Sequence, residues 1–169
     1  MLTDQEAHAL MPNATELMSD DPEMECSLYE LDYVLWLDHT VNCLRSGDWE
    51  GIDRLNLIEE LEALGRSERR GVASLLKQIL IHLLLYQHWV TEQERNRKHW
   101  AAELVNFRDQ LQRYVASQTL KNYAQSELTV VYKVARLFVE RKTGLEGLPL
   151  ACPYSLEQVL DEEFYGEDL

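Results

Sequence analysis

A few ionisable side chains stand where helical spacing asks for apolar ones, and any chemistry in this sequence starts with them. With residues set at 100° intervals, Glu127 falls in line with Leu120 and Val134. Glu60 lies at the edge of a Leu57, Leu61 and Leu64 stripe, and His82 lies beside the seam formed by Ile79 and Leu83. Asp32 sits on the more polar side of its helix and is a candidate fourth member. A carboxylate in apolar surroundings is costly unless it is paired. Glu60, His82, Glu127 and Asp32 are therefore expected to form a buried polar cluster. Two carboxylates and an imidazole drawn from three helices have the chemistry to hold a metal ion or to transfer a proton. The same groups also serve, more commonly, as a hydrogen-bonded network that fixes which helix packs on which. The packing role is the expectation here.

The metal version lacks its usual signatures. Di-iron bundles carry Glu-x-x-His on their helices, and neither that string nor His-Glu-x-x-His occurs. His82 and His88 are six residues apart, about 240° around a helix, so they do not share a ligand face. No Cys-x-x-Cys, glycine-rich phosphate loop or Gly-x-Ser-x-Gly elbow is present. Cys43 reads as a small core residue and Cys152, before Pro153, as a more exposed thiol. No cofactor is expected, and a metal at Glu60, His82 and Glu127 is the alternative.

The elements that would position these groups are all helical. The spacing predicts an all-α fold: a mostly antiparallel bundle of four to five main helices plus a short C-terminal helix. Ser27 with Glu30 reads as a capping box opening a first helix to about Ser46, with Gly47 as its stop. Val34, Leu37, Val41 and Leu44 form its apolar side. Asp53 caps a second helix, which Gly65 breaks or kinks before a third runs from about Ser67 to Val90. Val72, Leu76, Ile79, Leu83, Tyr86 and Val90 step by four and three along it, the spacing of a packed seam. Residues 91–97 read as a polar connection. Helices from about Lys98 to Ala116 and from about Ser117 to Lys142 follow, the first with Trp100, Leu104, Phe107, Leu111 and Tyr114 facing inward. On the second the inward stripe is Leu120, Ala124, Leu128, Val131, Ala135 and Phe138, and Gly144 ends it. Ser155 and Gln158 form another capping box at the short last helix.

The chain has 169 residues and a net charge of −14, and that charge is uneven. Residues 1–26 hold seven acids and no Lys or Arg; residues 155–169 hold six acids and again no Lys or Arg. The stretch between is nearly neutral. Two domains of behaviour follow: an acidic arm over 1–26 without helical phase, and a single helical bundle over 27–169. The acidic ends repel phosphate backbones, so no nucleic acid is expected as a partner, whereas a basic protein would be attracted. The longest apolar run, Ile79 to Tyr86, is too short to span a bilayer, and no membrane is expected. Three cysteines without paired spacing suit reduced thiols and a cytoplasmic location.

An ordered set of strings resembles the bacterial domain of unknown function 29 family, over about residues 29–164. The strings are Leu31-Asp32-Tyr33 with Trp36, Asn56-Leu57-Ile58-Glu59-Glu60-Leu61-Glu62, and Leu64-Gly65-Arg66-Ser67-Glu68-Arg69. His82-Leu83-Leu84, Trp100, Thr143-Gly144-Leu145 and Cys152-Pro153-Tyr154-Ser155-Leu156-Glu157-Gln158 complete it. The resemblance implies an all-α fold, no assigned activity and no catalytic residues to carry over. Tyr86 stands near where relatives tend to carry Lys, and Lys142 where they often carry Glu. The function expected from the residues is that of a cytoplasmic helical protein-interaction or regulatory module. A homodimer is plausible because Trp36, Trp49, Trp89 and Trp100 need not all fit inside one small core. The alternative is a metal-binding or acid/base enzyme with its carboxylate and histidine site inside the bundle.

Overall fold

Asp32 decides where the first long helix starts. In the computed structural model, which describes residues 27–166, its backbone is extended at φ −150° and its carboxylate Oδ1 accepts from the Leu35 N–H at 3.0 Å. It therefore caps α2 (Tyr33–Ser46) and separates it from the single turn α1 (Leu28–Leu31). The box expected at Ser27 does not form, because the Ser27 side chain makes no capping hydrogen bond. A short acidic side chain competes well for free N–H groups, so the cap went to the longer helix. Gly47 and Gly144, both left-handed, close α2 and α5 as their spacing predicted. The acidic arm at 1–26 lies outside the described residues.

Gly65 does not break the chain. α3 runs unbroken from Arg54 to His88, so the two helices read from the sequence are one. Asp53 opens it, accepting from the Asn56 N–H at 3.2 Å and from the Asn56 amide at 2.6 Å. A glycine inside a helix costs only about 1 kcal/mol relative to alanine, too little to end a helix whose next turns are deeply packed. The polar stretch 91–97 is helical as well. Only Trp89 separates α3 from α4 (Val90–Val115), and Ala116 and Ser117 lead into α5 (Gln118–Thr143). The described chain ends with α6 (Leu156–Leu160), whose capping box at Ser155 and Gln158 is formed in both directions.

The structure divides into two compact units, one up to Leu57 and one from Ile58 onward. In the first, Trp36, Thr40, Cys43 and Ile52 are buried. The apolar side predicted for α2 is outside: Val34, Leu37, Val41 and Leu44 are all exposed, Val34 at 66%.

In the second unit the core follows the predicted seam. Val72, Leu76, Ile79, Leu80, Leu83 and Leu84 of α3 have no exposed surface, and neither do Leu104 and Leu111 of α4. Each buried leucine contributes about 2 kcal/mol by area removed from water. Ring contacts fix the direction of packing. Trp89 stacks on Trp100 with centroids 5.9 Å apart, His82 meets Phe107 at 5.3 Å, and Gly71 lies against Tyr114. Positions rise along α3 as they fall along α4, so the two helices are antiparallel. α5 packs on α4 and buries Ala124, Leu128, Val131, Tyr132, Ala135 and Val139 in the same core. Phe138, assigned inward from spacing, is 48% exposed, and Val139 takes the interior place. Val90, the last residue of the predicted seam, is also outside, because α3 has already ended at His88. Among the described residues, no helix is long and apolar enough to cross a membrane.

Candidate functional site

The continuity of α3 decides the fate of the expected cluster. Glu60 and His82 are 22 residues apart on one unbroken helix, and at 1.5 Å per residue that is about 33 Å. They do not meet. Lys142, at the far end of α5, acts electrostatically on His82, whereas Glu127 lies 15 residues earlier on the same helix, about 22 Å along its axis. Asp32 is exposed and serves as the α2 cap. Among the described residues, no three His, Cys, Asp or Glu side chains are grouped to hold a metal ion. The donors proposed for a metal therefore do not fit one.

His82 is nonetheless half-buried and particular in its surroundings. Its Nδ1 lies 2.8 Å from the Gln78 carbonyl, which only accepts, so Nδ1 carries the proton and Nε2 is bare in the neutral ring. Burial lowers its pKa below the ordinary histidine value; the Gln78 bond and Glu103 oppose this, while Lys142 and His99 add to it. The ring packs against Phe107 and serves the core edge.

Two polar constellations escaped the sequence reading. Arg108 of α4 is completely buried. Its Nε donates to the Val159 carbonyl at 2.9 Å, Nη1 to Glu162 at 3.3 Å and Nη2 to Phe164 at 2.6 Å. One turn on, the Gln112 amide donates to the Leu160 carbonyl at 3.4 Å. Together they satisfy carbonyls at the end of α6 and in the segment after it, which a five-residue helix leaves open. Burial lowers the Arg108 pKa, and Tyr165, Asp161 and Glu162 counter it. The sequence offers no signal for this: Arg108 looks like any helix-face base until its carbonyl partners, about fifty residues away, are known.

The second constellation is a cleft of about 280 Å³ lined by Tyr86, Gln87, Gln93, Arg97, Tyr165 and Gly166. The Gln87 amide donates to the Gly166 carbonyl and accepts from the Tyr154 hydroxyl. A side chain at 166 would run into Gln87, and the residue has φ +84°, so only glycine fits. Gln93 donates to the Tyr86 carbonyl at 2.7 Å, and Arg97 Nε to the Tyr86 hydroxyl at 2.6 Å with its guanidinium over the ring. Gln87 thus binds the C-terminal segment onto α3, while Gln93 and Arg97 bind the start of α4 to Tyr86 at the end of α3.

In the first unit, Cys43 is buried with its Sγ 3.6 Å from His39 Nε2 and 4.0 Å from an Asp48 carboxylate oxygen. The four-residue spacing of His39 and Cys43 is the signal that reveals the pair. Burial leaves the thiol without access for a substrate, so packing is its role.

The surface of α5 is the remaining candidate. Val130, Val134, Leu137 and Phe138 are exposed by 46–56% and form a stripe on the side of the helix away from its core face. Val134, Leu137 and Phe138 line a groove of about 510 Å³ that ends at Arg141 and Lys142. α5 thus carries two apolar faces and buries one.

Among the described residues, six helices and an unbroken α3 that lines a leucine-rich core define an all-α domain. Residues 28–165 match the family described as domain of unknown function DUF29, and the chain belongs to that family. No curated protein and no solved structure matches it.

Proposed function

We propose that this protein is a protein-interaction module and that the outer face of α5 is where it binds. The observation that carries this reading is the second apolar stripe of α5, Val130, Val134, Leu137 and Phe138, left uncovered beside a groove. Four large apolar side chains at helical spacing on a surface mark a contact site, since single exposed residues would scatter. Arg141 and Lys142 close the groove at one end. A fitting partner is a protein helix with an apolar stripe and acidic residues where that stripe reaches the two bases.

Site-specific photo-crosslinking in the native cell tests this. A benzoylphenylalanine at Val134 is expected to give a discrete adduct with another protein, and the same group at exposed Lys121 none. The adduct is expected to vanish when Phe138→Glu is added. Absence of an adduct at Val134, or equal adducts at both positions, counts against the reading.

A further inference from the structure

We propose that the cleft at the α3–α4 junction is a site for acidic side chains, and that its occupants are this chain's own Glu167 and Asp168, which pair there with Arg97. Covalent reach comes first. Gly166, the last described residue, is part of the cleft wall. Consecutive Cα atoms are about 3.8 Å apart, so Glu167 begins at the cleft. The approach to it is fastened. Arg108 donates to the Phe164 carbonyl at 2.6 Å, the Tyr165 ring lies 5.0 Å from that of Tyr86, and Gln87 donates to the Gly166 carbonyl. A tether this short gives the two acids a high effective concentration beside the cleft.

Charge says what fills the space. Among the described residues that line the cleft, Arg97 alone is charged. Tyr86 orients its guanidinium: Nε donates to the hydroxyl at 2.6 Å, and Cζ lies 4.9 Å from the ring centre. A planar guanidinium fixed in this way takes a carboxylate at a small further cost in freedom. The neighbouring acids stand elsewhere. Glu92 accepts from the Asn96 amide, and Glu94, Glu162 and Glu163 do not line the cleft. Residues 92–98 hold three bases and two acids, so this end of α4 is net positive. The two residues after Gly166 are both acidic, so the nearest side chains in sequence carry the complementary charge. The amides of Gln87 and Gln93 in the wall favour a polar occupant over an apolar one. An ion pair at an open rim is weak, about fivefold in occupancy at most. The contact is therefore a latch on the C-terminal segment that salt or a competing acidic segment undoes.

Nuclear magnetic resonance on the full chain at low salt is the test. Glu167→Gln with Asp168→Asn removes both charges and keeps the Arg97 bond to Tyr86. The Arg97 Nε–Hε resonance is expected to shift in this variant, while that of Arg113 stays in place. Salt at about 1 M, where the Debye length is about 3 Å, is expected to move the wild-type resonance toward the variant position. Charge reversal supplies a second readout, the exchange rate of the Phe164 amide, which donates to the Asp161 carbonyl. Arg97→Glu is expected to speed that exchange about fivefold, with the amides of α3 unchanged. Adding Glu167→Lys and Asp168→Lys is expected to restore the slow rate, although the Arg97 bond to Tyr86 stays lost. An unmoved Arg97 resonance in the neutral variant overturns the proposal, and so does a reversed variant without recovery. A shift that grows with protein concentration overturns it too, because a second copy's acids would then fill the cleft. None of these outcomes bears on the adduct expected at Val134.

Discussion

Arg108 shows how much one side chain can hold. Its guanidinium fills the place of the water that the carbonyls of Val159, Glu162 and Phe164 would otherwise need. All three of these acceptors are backbone carbonyls of residues 159–164, so its work is to tie the C-terminal segment to α4. Replacing it with methionine keeps the bulk and removes all three donors. Hydrogen bonds from a charged donor are worth about 1.5–3 kcal/mol each, and orphaned carbonyls add to the loss, so Arg108→Met is expected to cost about 3 kcal/mol. Denaturant melts measure that cost. Hydrogen exchange locates it: amides of residues 156–166 are expected to lose protection more than those of α3. Equal loss in both would mean that Arg108 supports the whole core and not this segment.

At the scale of the helices, the α3–α4 contact is set by a small residue facing a large one. A Cβ at Gly71 would fall 2.7 Å from the Tyr114 hydroxyl oxygen and 2.9 Å from its Cζ. Helix propensity alone favours alanine by about 1 kcal/mol. The close approach reverses that sign, since forcing a methyl into a packed contact costs about 1–3 kcal/mol. Gly71→Ala is expected to lower stability in the wild type and to raise it when Tyr114 is leucine. A double-mutant cycle in urea checks the coupling; additive effects would show that the two residues do not set the spacing. The same kind of reasoning explains the misplaced boundaries. Gly65 and the polar run 91–97 look like punctuation locally. The helices continue through them because packed turns on at least one side outweigh a local cost near 1 kcal/mol.

For the whole molecule, the half-buried histidines tie stability to pH. Burial lowers the pKa of His82 and of His88, so both are neutral in the folded protein at pH values where the unfolded chain binds protons. Near neutrality both states are unprotonated and the full stability is present. As pH falls through the ordinary histidine range near 6.5, the unfolded state gains protons first and stability is lost. The loss levels off once the folded state also protonates. The melting temperature is therefore expected to rise between about pH 5 and about pH 7, and His82→Gln is expected to flatten part of that rise. An unchanged slope in the variant would remove His82 from this account.

How much was legible in the sequence follows from which forces are local. Val72, Leu76, Ile79, Leu83, Leu104 and Leu111 were readable as core because helical periodicity and side-chain type suffice to pick a buried face. The caps at Asp53, Ser155 and Gly144 were readable because their bonds span only a few residues. The family and the all-α class followed from the same local strings. What the tertiary structure decided was which of several apolar stripes found a cover. The stripes of Leu61 with Leu64 and of Val34 with Val41 look like core stripes and are exposed, while one positively charged residue, Arg108, is inside. Burial depends on a neighbour's arrival from a distant part of the chain, and periodicity carries no information about that neighbour. For the same reason Glu60 and His82 can converge only if the chain breaks or kinks sharply at Gly65; the unbroken length of α3 keeps those two apart.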